Sequence, residues 1–255
     1  MQLDIGIVQT SISENVSENI VTVCEFIAQS NETDILLFPE GMISGYYPKN
    51  PNYLKNVNEN ILDSAIKKIG MIVQKKHVEA IIPTALSEDG KWFNVSLWFD
   101  TNGRVKYVYK KCNLSNLDRT YFLPGNTLET YAVEGVSMAI QMCREIKYPE
   151  QWLYLKLQGA RVIFHLNNNQ EGDSYWENLY KTRAYENQYF IVSVNPSHAS
   201  QKLFSYIVSP QGKIVLQTEN TQKIYYATLD LDSVKNGFID QRRKTVVDLV
   251  YKGKK

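Results

Sequence analysis

The sequence has few cysteines, few histidines and no glycine-rich loop, and each shortage excludes a class of protein. Its three cysteines are an odd number without a Cys-x-x-Cys pair, so they cannot form a closed disulfide framework. The three histidines are scattered without the spacing of metal ligands, which gives a dedicated zinc site little support. No two glycines are separated by a single residue, and Gly-Lys-Ser/Thr and Gly-x-Ser-x-Gly runs are missing. These gaps exclude dinucleotide, kinase and Walker-type loops and a serine nucleophile elbow, so we expect no cofactor.

Long hydrophobic runs and an excess of either charge are also missing. The longest apolar stretches, such as 35–38 and 162–164, have strand length, far below the roughly 18–20 residues of a membrane helix. The N-terminus carries Gln2 and Asp4 instead of a basic region followed by an apolar run, so no signal peptide is predicted. With 28 Lys and Arg against 27 Asp and Glu, the chain has no basic stripe for a nucleic-acid backbone. We expect a cytoplasmic protein without nucleic-acid or membrane partners.

Apolar periodicity predicts alternating strands and helices. Residues 3–9 alternate apolar and polar side chains, a helical pattern follows through Cys24 and Ile27, and residues 35–38 read as a buried strand. A helix followed by a strand recurs at 58–76 with 78–84 and at 150–158 with 162–166. Two hairpins are predicted, 92–99 with 105–109 and 204–208 with 214–217. Because β-α-β units and hairpins occur together, we expect an α/β (α+β) fold with mixed sheets. No linker interrupts residues 1–255, which favours a single domain.

Three segments have residue types that are unusual for their local structure. A buried strand stops at Pro39 and delivers Glu40 at the strand end, where α/β sheets place their ligands. Lys110 and Lys111 close a hairpin strand and must point to opposite faces. An apolar strand delivers Cys143 beside Arg144, an environment that can activate a thiol. Taken singly, each has a plainer interpretation: a solvated glutamate, a lysine pair on an edge strand, or a small buried hydrophobe.

Together, these segments resemble a known family. Phe38-Pro39-Glu40 with Tyr46 and Pro48, the run from Tyr109 to Leu114, and Cys143 followed by Tyr148-Pro149-Glu150 are similar, in order, to the signatures of the nitrilase (carbon-nitrogen hydrolase) superfamily, in its amidase-like branch. The resemblance implies a four-layer α-β-β-α sandwich with two mixed sheets. It also implies a catalytic triad of Glu40, Lys111 and Cys143, and a homodimer or higher homo-oligomer.

The implied roles agree with the chemistry of the side chains. Glu40 would accept the thiol proton and return it to the leaving amine, and Cys143 would attack as a thiolate. Lys111 would face the developing oxyanion, helped by the backbone N–H of Arg144.

The chain also departs from the family pattern. Asn113 stands where many members have histidine, and Asp118 stands where many have a second glutamate, which shortens the reach of that carboxylate by a methylene. Arg144 and Glu145 follow the cysteine, where aromatic and aspartate residues are common. They either tune a polar substrate or form a surface pair.

Other polar residues near the segments are candidates for binding substrate. We expect Asn167 and Asn168 to line the pocket and Tyr46 to narrow it. Pairing of Cys143 with His165 and Asn167, as in papain-like enzymes, is a weaker alternative because it leaves Glu40 and Lys111 unexplained. Cys24 is expected to belong to the core.

The sequence therefore predicts a cysteine-dependent amidohydrolase that cleaves a linear C–N bond of a small amide through a thioester and releases ammonia or an amine. One alternative uses the same triad on N-carbamoyl amines or amino acids. Another is a catalytically idle family member that acts as an interaction subunit, an alternative that the Asn113 and Asp118 departures keep open.

Overall fold

The fold is an α-β-β-α sandwich, seen here in a computed structural model. The structure describes residues 1–169, 175–200, 202–243, 246–250 and 252. The helices are α1 (Val16–Gln29), α2 (Glu59–Lys76), α3 (Pro149–Leu157), α4 (Trp176–Asn187) and α5 (Gly237–Asp240). The strands of the first sheet are β1 (Gln2–Gln9), β2 (Ile35–Leu37), β3 (Glu79–Glu88), β4 (Lys91–Phe99), β5 (Val105–Lys110) and β12 (Lys223–Asp230). The strands of the second sheet are β6 (Tyr131–Val133), β7 (Val136–Met142), β8 (Val162–Leu166), β9 (Phe190–Val194), β10 (Tyr206–Val208) and β11 (Ile214–Gln217).

Both sheets are mixed, as the sequence predicts. The first has the strand order β12-β1-β2-β3-β4-β5 and the second β11-β10-β9-β8-β7-β6. The parallel pairs β1/β2, β2/β3, β7/β8 and β8/β9 lie at the centres of the sheets, and antiparallel pairs flank them. Parallel strands need covered faces, and the helical layers on the outside supply the cover.

Alternation along the central strands divides the interior into layers. Ile5, Ile7 and Leu37 of the first sheet pack against the second sheet. Val8 and Leu36 point the other way, into the layer formed by α1 and α2. On the opposite side, α3 and α4 pack on the second sheet. The four-layer prediction is confirmed, and Cys24 lies in the core face of α1 as expected.

The predicted elements agree with the structure except at their ends, and five further elements were not predicted. The hairpin of β4 and β5 forms as predicted, while β3 continues four residues beyond the predicted end at 84. The strands β6, β9 and β12 and the helices α4 and α5 are not among the elements that the sequence pattern predicts.

The strand directions bring several chain segments to one edge of the sandwich. β2, β5, β7 and β8 all end at this edge, because β5 is antiparallel to β4, which is antiparallel to β3. The segments that follow these strands carry the polar residues of the site.

Candidate active site

Glu40 lies three residues after the end of β2 and is fully buried. Its backbone N–H donates to the carbonyl of Asn167 at 3.0 Å, which ties the end of β2 in the first sheet to the end of β8 in the second. Gly41 follows with a φ of +75°, and a Cβ there would lie 2.5 Å from the Cβ of Tyr46. Glycine is therefore required for the turn that aims Glu40 inward.

Lys111 connects the two buried carboxylates of the site. Its Nζ lies 2.8 Å from Glu40 Oε1 and 2.8 Å from Asp118 Oδ2, and all three side chains are shielded from solvent. Its neighbour Lys110 points outward and pairs with Glu88. The prediction that the two lysines face opposite sides is thus confirmed.

Asp118 reaches Lys111 although it is one methylene shorter than glutamate. It begins a short 3₁₀ turn, Asp118–Thr120, which brings its carboxylate close to the lysine. The same carboxylate accepts hydrogen bonds from the Ser115 backbone and from the Tyr46 hydroxyl. Tyr46 therefore lies in the site, with its ring centroid 5.9 Å from Lys111 Nζ.

Two asparagines fix the Glu40 carboxylate. The Asn94 Nδ2 donates to Glu40 Oε1 at 2.8 Å, and the Asn168 backbone N–H donates to Oε2 at 3.2 Å. The Asn94 carbonyl also accepts the Lys111 backbone N–H. The structure thus brings Asn168 into the site as predicted, and it adds Asn94, which the sequence analysis missed.

Cys143 follows β7 at the start of a 3₁₀ turn, Cys143–Lys147. Its φ is +43°, a left-handed conformation that is strained for a residue with a Cβ and that clusters at functional sites. Cys143 is half-buried, and both Glu40 and Lys111 lie close enough to its thiol to act on it electrostatically. Residues from four strand ends therefore meet at one point.

Burial and mutual charge shift the pKa values of this cluster in different directions. Burial raises the pKa of Glu40 above its ordinary value, although the Lys111 ammonium opposes the shift. Burial also disfavours the Asp118 anion, but Lys111 and Tyr46 lower the pKa of Asp118 overall. Burial and the neighbouring Glu40 raise the pKa of Cys143, so the resting group is a thiol. Burial works against the Lys111 ammonium, yet Glu40 and the other anions raise its pKa well above the usual range.

His165 does not contact the thiol. Its Nε2 lies 2.9 Å from the carbonyl oxygen of Cys143, and its Nδ1 lies 3.0 Å from the Tyr180 hydroxyl. Burial lowers the pKa of His165 to about 3, so the ring is neutral at physiological pH. The papain-like alternative is therefore wrong, because this imidazole holds the backbone of the nucleophile and not its sulfur.

Asn167 corrects a second expectation. Its side chain is fully buried, and the two hydrogens of Nδ2 share four acceptors within 3.0–3.3 Å, the His165 and Val194 carbonyls and the Tyr180 and Ser193 hydroxyls. A carboxamide that is enclosed among these groups does not line the pocket. The backbone carbonyl of Asn167 is the group that bonds to the site, where it accepts the Glu40 N–H.

Glu145 is buried and forms no surface pair with Arg144, which corrects that alternative. Its carboxylate accepts backbone hydrogen bonds from Cys112, Asn113 and Met142. Asn113 is held by this bond, and among the described residues its Nδ2 has no hydrogen-bond partner although it is buried. Arg144 is half-buried next to Cys143.

A cleft of about 590 Å³ opens beside the cluster. Its walls include Tyr46, Tyr47, Pro48, Leu117, Asn168 and His198. A volume of this size suits a small molecule. Within the described ranges, no group of three or more His, Cys, Asp and Glu side chains could hold a metal ion. No helix of the described chain is long and apolar enough to cross a membrane.

Known proteins are similar to this chain in sequence and in fold. The model of the family described as "Carbon-nitrogen hydrolase" matches residues 4–237. An (R)-stereoselective amidase of Pseudomonas sp. is 28% identical over 226 residues, which cover 85% of this chain and 78% of that protein. The omega-amidase of Homo sapiens is 22% identical over 246 residues, 89% of this chain and 88% of that protein.

A solved structure extends the comparison to the fold. An amidase variant from Nesterenkonia sp. AN1 superposes with a TM-score of 0.85 at 17% identity, covering 96% of this chain and 95% of that one. That crystal structure carries the acetamide moiety of fluoroacetamide covalently added at its active-site cysteine.

The family match spans nearly the whole chain, and it agrees with the sandwich fold described above. The chain belongs to the carbon-nitrogen hydrolase family, and it is a hydrolase that acts on carbon-nitrogen bonds other than peptide bonds.

Proposed function

We propose that this chain is a cysteine-dependent amidohydrolase that cleaves the linear C–N bond of a small amide through a thioester at Cys143. The observation that carries the proposal is the position of the Glu40 carboxylate, which bonds to Lys111 Nζ at 2.8 Å and lies close enough to the Cys143 thiol to act on it electrostatically. A base, a cation and a nucleophile gathered in one buried cluster are the groups that acyl transfer requires.

In the first half-reaction, Glu40 takes the proton from the Cys143 thiol as the sulfur attacks the amide carbon. The pKa of this thiol is raised, so the sulfur rests protonated and needs Glu40 as its proton acceptor. The Lys111 ammonium stabilises the negative charge on the carbonyl oxygen, together with the Arg144 backbone N–H. The C–N bond then breaks, and Glu40 gives its proton to the leaving nitrogen, which departs as ammonia or an amine.

In the second half-reaction, water replaces the amine. Glu40 takes a proton from the water while its oxygen attacks the thioester carbon, and the same cation stabilises the second oxyanion. The C–S bond breaks, the carboxylic acid leaves, and the proton on Glu40 returns to the sulfur. Asp118 takes no proton in this cycle and keeps Lys111 charged and in place.

A small amide agrees with the cleft and with the relatives. The cleft shares Tyr46 and Asn168 with the buried cluster, and its walls offer apolar and amide groups for the acyl part of a small substrate. Two of the relatives above are named amidases, and a third holds an acetamide group on its cysteine. We propose further that residues 1–255 act as one domain and that the enzyme works where thiols stay reduced, in the cytoplasm.

The test is mass spectrometry of the protein after incubation with a panel of small amides and carbamoyl compounds. Wild type should release ammonia or amine and show an acyl adduct on the Cys143 peptide, and Cys143→Ala should show neither. Cys24→Ala, which changes a core cysteine, is the matched control and should keep the adduct. Equal turnover by wild type and Cys143→Ala would overturn the mechanism. If only the carbamoyl compounds gave adducts, the proposed substrate class would change from small amides to carbamoyl compounds.

A further inference from the structure

Glu145 is a buried carboxylate that the proposed chemistry does not use. It lies two residues after Cys143, within the 3₁₀ turn, and none of its side chain is exposed. Burying an ionised carboxylate costs free energy unless hydrogen bonds replace its hydration. Its hydrogen-bond donors therefore indicate what the group does.

The donors to Glu145 come from two separate segments of the site. Oε1 accepts the backbone N–H groups of Cys112 at 2.8 Å and Asn113 at 3.0 Å, the two residues that directly follow Lys111. Oε2 accepts the Met142 N–H at 2.7 Å and the Tyr109 hydroxyl at 2.7 Å. One carboxylate thus holds both flanks of Lys111 in the first sheet and the residue that precedes Cys143 in the second.

The chemistry of a carboxylate suits this task better than that of an amide. An ionised carboxylate only accepts, and its two oxygens offer about four lone-pair directions, which match the four donors here. A glutamine would turn an NH₂ group toward one of the two donor pairs. The Tyr109 hydroxyl is itself fixed, because it accepts from Gln141 Nε2 at 3.0 Å.

We propose that Glu145 is a positioning residue, which sets the separation of the Lys111 ammonium and the Cys143 thiol by binding both of their backbone segments. The inference rests on the proposed function, since it assumes that these two groups act on one substrate. Displacement of reacting groups by about 1 Å can lower a rate by roughly 100-fold, so the effect is large enough to measure.

The experiment compares Glu145→Gln, Glu145→Asp and Tyr109→Phe with wild type. For Glu145→Gln we expect kcat to fall by about 100-fold with little change in KM. Alkylation of Cys143 by iodoacetamide, measured by peptide mass spectrometry, should slow with kcat, because the thiol itself is displaced from Glu40 and Lys111. Glu145→Asp keeps the acceptor oxygens and should recover part of the rate. Tyr109→Phe removes one donor of four and should have the smallest effect.

A control separates positioning from general stability. Val73→Ala truncates a fully buried side chain of α2, which packs outside the first sheet. It should lower the melting temperature and leave kcat and the alkylation rate unchanged. If Glu145→Gln keeps the kcat and the alkylation rate of wild type, Glu145 has no positioning role. The same conclusion holds if Val73→Ala, through its lower stability, loses as much kcat as Glu145→Gln does. If Glu145→Gln does not fold, the kcat values of the other two variants test the inference. A higher kcat in Tyr109→Phe than in Glu145→Asp supports the positioning role, and the reverse order overturns it.

The two proposals fail in different ways. Absence of turnover by wild type on every amide would refute the proposed function. The alkylation rates would still test Glu145, because they need no substrate: a slower reaction of Cys143 in Glu145→Gln would support the positioning role, and an unchanged rate would refute it.

Discussion

Two carboxyl groups share the Lys111 ammonium, and their surroundings shift their pKa values in opposite directions. Burial raises the pKa of Glu40, while Lys111 and the Tyr46 hydroxyl lower that of Asp118. A pair of acids separated in this way can divide two roles between them. We infer that Glu40 carries the proton and that Asp118 remains an anion throughout.

Removing the proton acceptor should stop turnover and preserve the fold. In Glu40→Gln the side chain keeps its shape, and Asp118 still pairs with Lys111, so we expect the melting temperature to stay close to that of wild type. Loss of a general base costs about 10²–10⁴-fold, and kcat should fall by that factor. Glu88→Gln changes a surface carboxylate that pairs with Lys110 and should keep full activity. Normal kinetics in Glu40→Gln would remove Glu40 from its role.

Neutralising Asp118 should move the pH profile of kcat/KM to lower pH. The Asp118 anion raises the pKa values of both Glu40 and Lys111. Without it, Glu40 loses its proton at a lower pH, so the acidic limb moves down. Lys111 also loses its charge at a lower pH, so the alkaline limb moves the same way. Asp118→Asn should show both shifts, and Asp118→Glu, which keeps the charge, should not. An unmoved profile in Asp118→Asn would contradict the proposed ionisation states.

At the scale of elements, the strand ends were predictable and their polar partners were not. Glu40 and Cys143 each follow a short apolar strand, so their position at a sheet edge follows from the pattern. Asn94 lies inside β4 on the face of Ser96 and Trp98, which points toward the second sheet. Two polar residues on a buried strand face, here Asn94 and Ser96, indicate a site. They can be recognised only when it is known which face of the strand is buried.

Glu145 gives no such signal in the sequence. Flanked by Arg144 and Lys147, it resembles a solvated turn residue. Its burial depends on Cys112 and Asn113, more than thirty residues earlier in the chain. A contact of that separation cannot be inferred from local pattern, and the same holds for His165, whose partners lie in the cysteine turn and in α4.

β8 holds His165 between the Cys143 turn and α4, and this packing should make stability depend on pH. The ring is neutral in the folded chain down to a pKa of about 3, whereas an unfolded histidine titrates near 6.5. The unfolded state therefore binds the extra proton between these values, and stability falls as pH falls below about 6.5. From pH 7 to pH 5, His165 should cost about 2 kcal/mol of unfolding free energy.

Urea unfolding at the two pH values measures this contribution. The side chain in His165→Gln can still donate to the Cys143 carbonyl but does not titrate. Between pH 7 and pH 5, the drop in its free energy of unfolding should therefore be about 2 kcal/mol smaller than the drop in wild type. Val73→Ala keeps the histidine and should retain the wild-type difference. Identical pH dependence in wild type and His165→Gln would show that the histidine is not held neutral.

At the scale of the whole molecule, the order of the layers follows from the sequence, but the strand that completes the edge of the first sheet does not. The pattern of strands and helices gives mixed sheets with helices outside, and the resemblance supplies four layers. β12 forms the edge of the first sheet by pairing along the full length of β1, more than two hundred residues away. Its side chains are mostly half-exposed, so the alternation that marks a buried strand is weak.

The outer face beside α3 and α4 exposes apolar side chains of the C-terminal segment. A cavity of about 510 Å³ lies between α3, α4 and the C-terminal segment, with Leu153, Phe238 and Leu249 among its walls. Nearby, Val246, Val247 and Val250 are 68%, 57% and 74% exposed. Apolar side chains clustered in this way mark a surface for association.

We expect this face to pair two copies of the chain, since symmetric dimers reuse one self-complementary surface. Light scattering should give wild type twice the 29.4 kDa mass of one chain. The double change Val247→Glu and Val250→Glu places two like charges on each side of the interface and should shift the mass toward a single chain at micromolar concentration. Met71→Glu, on the opposite outer layer, exposes the same charge on α2 and should leave the dimer intact. A wild-type mass of one chain would refute the dimer, and dissociation by Met71→Glu would move the interface to α1 and α2.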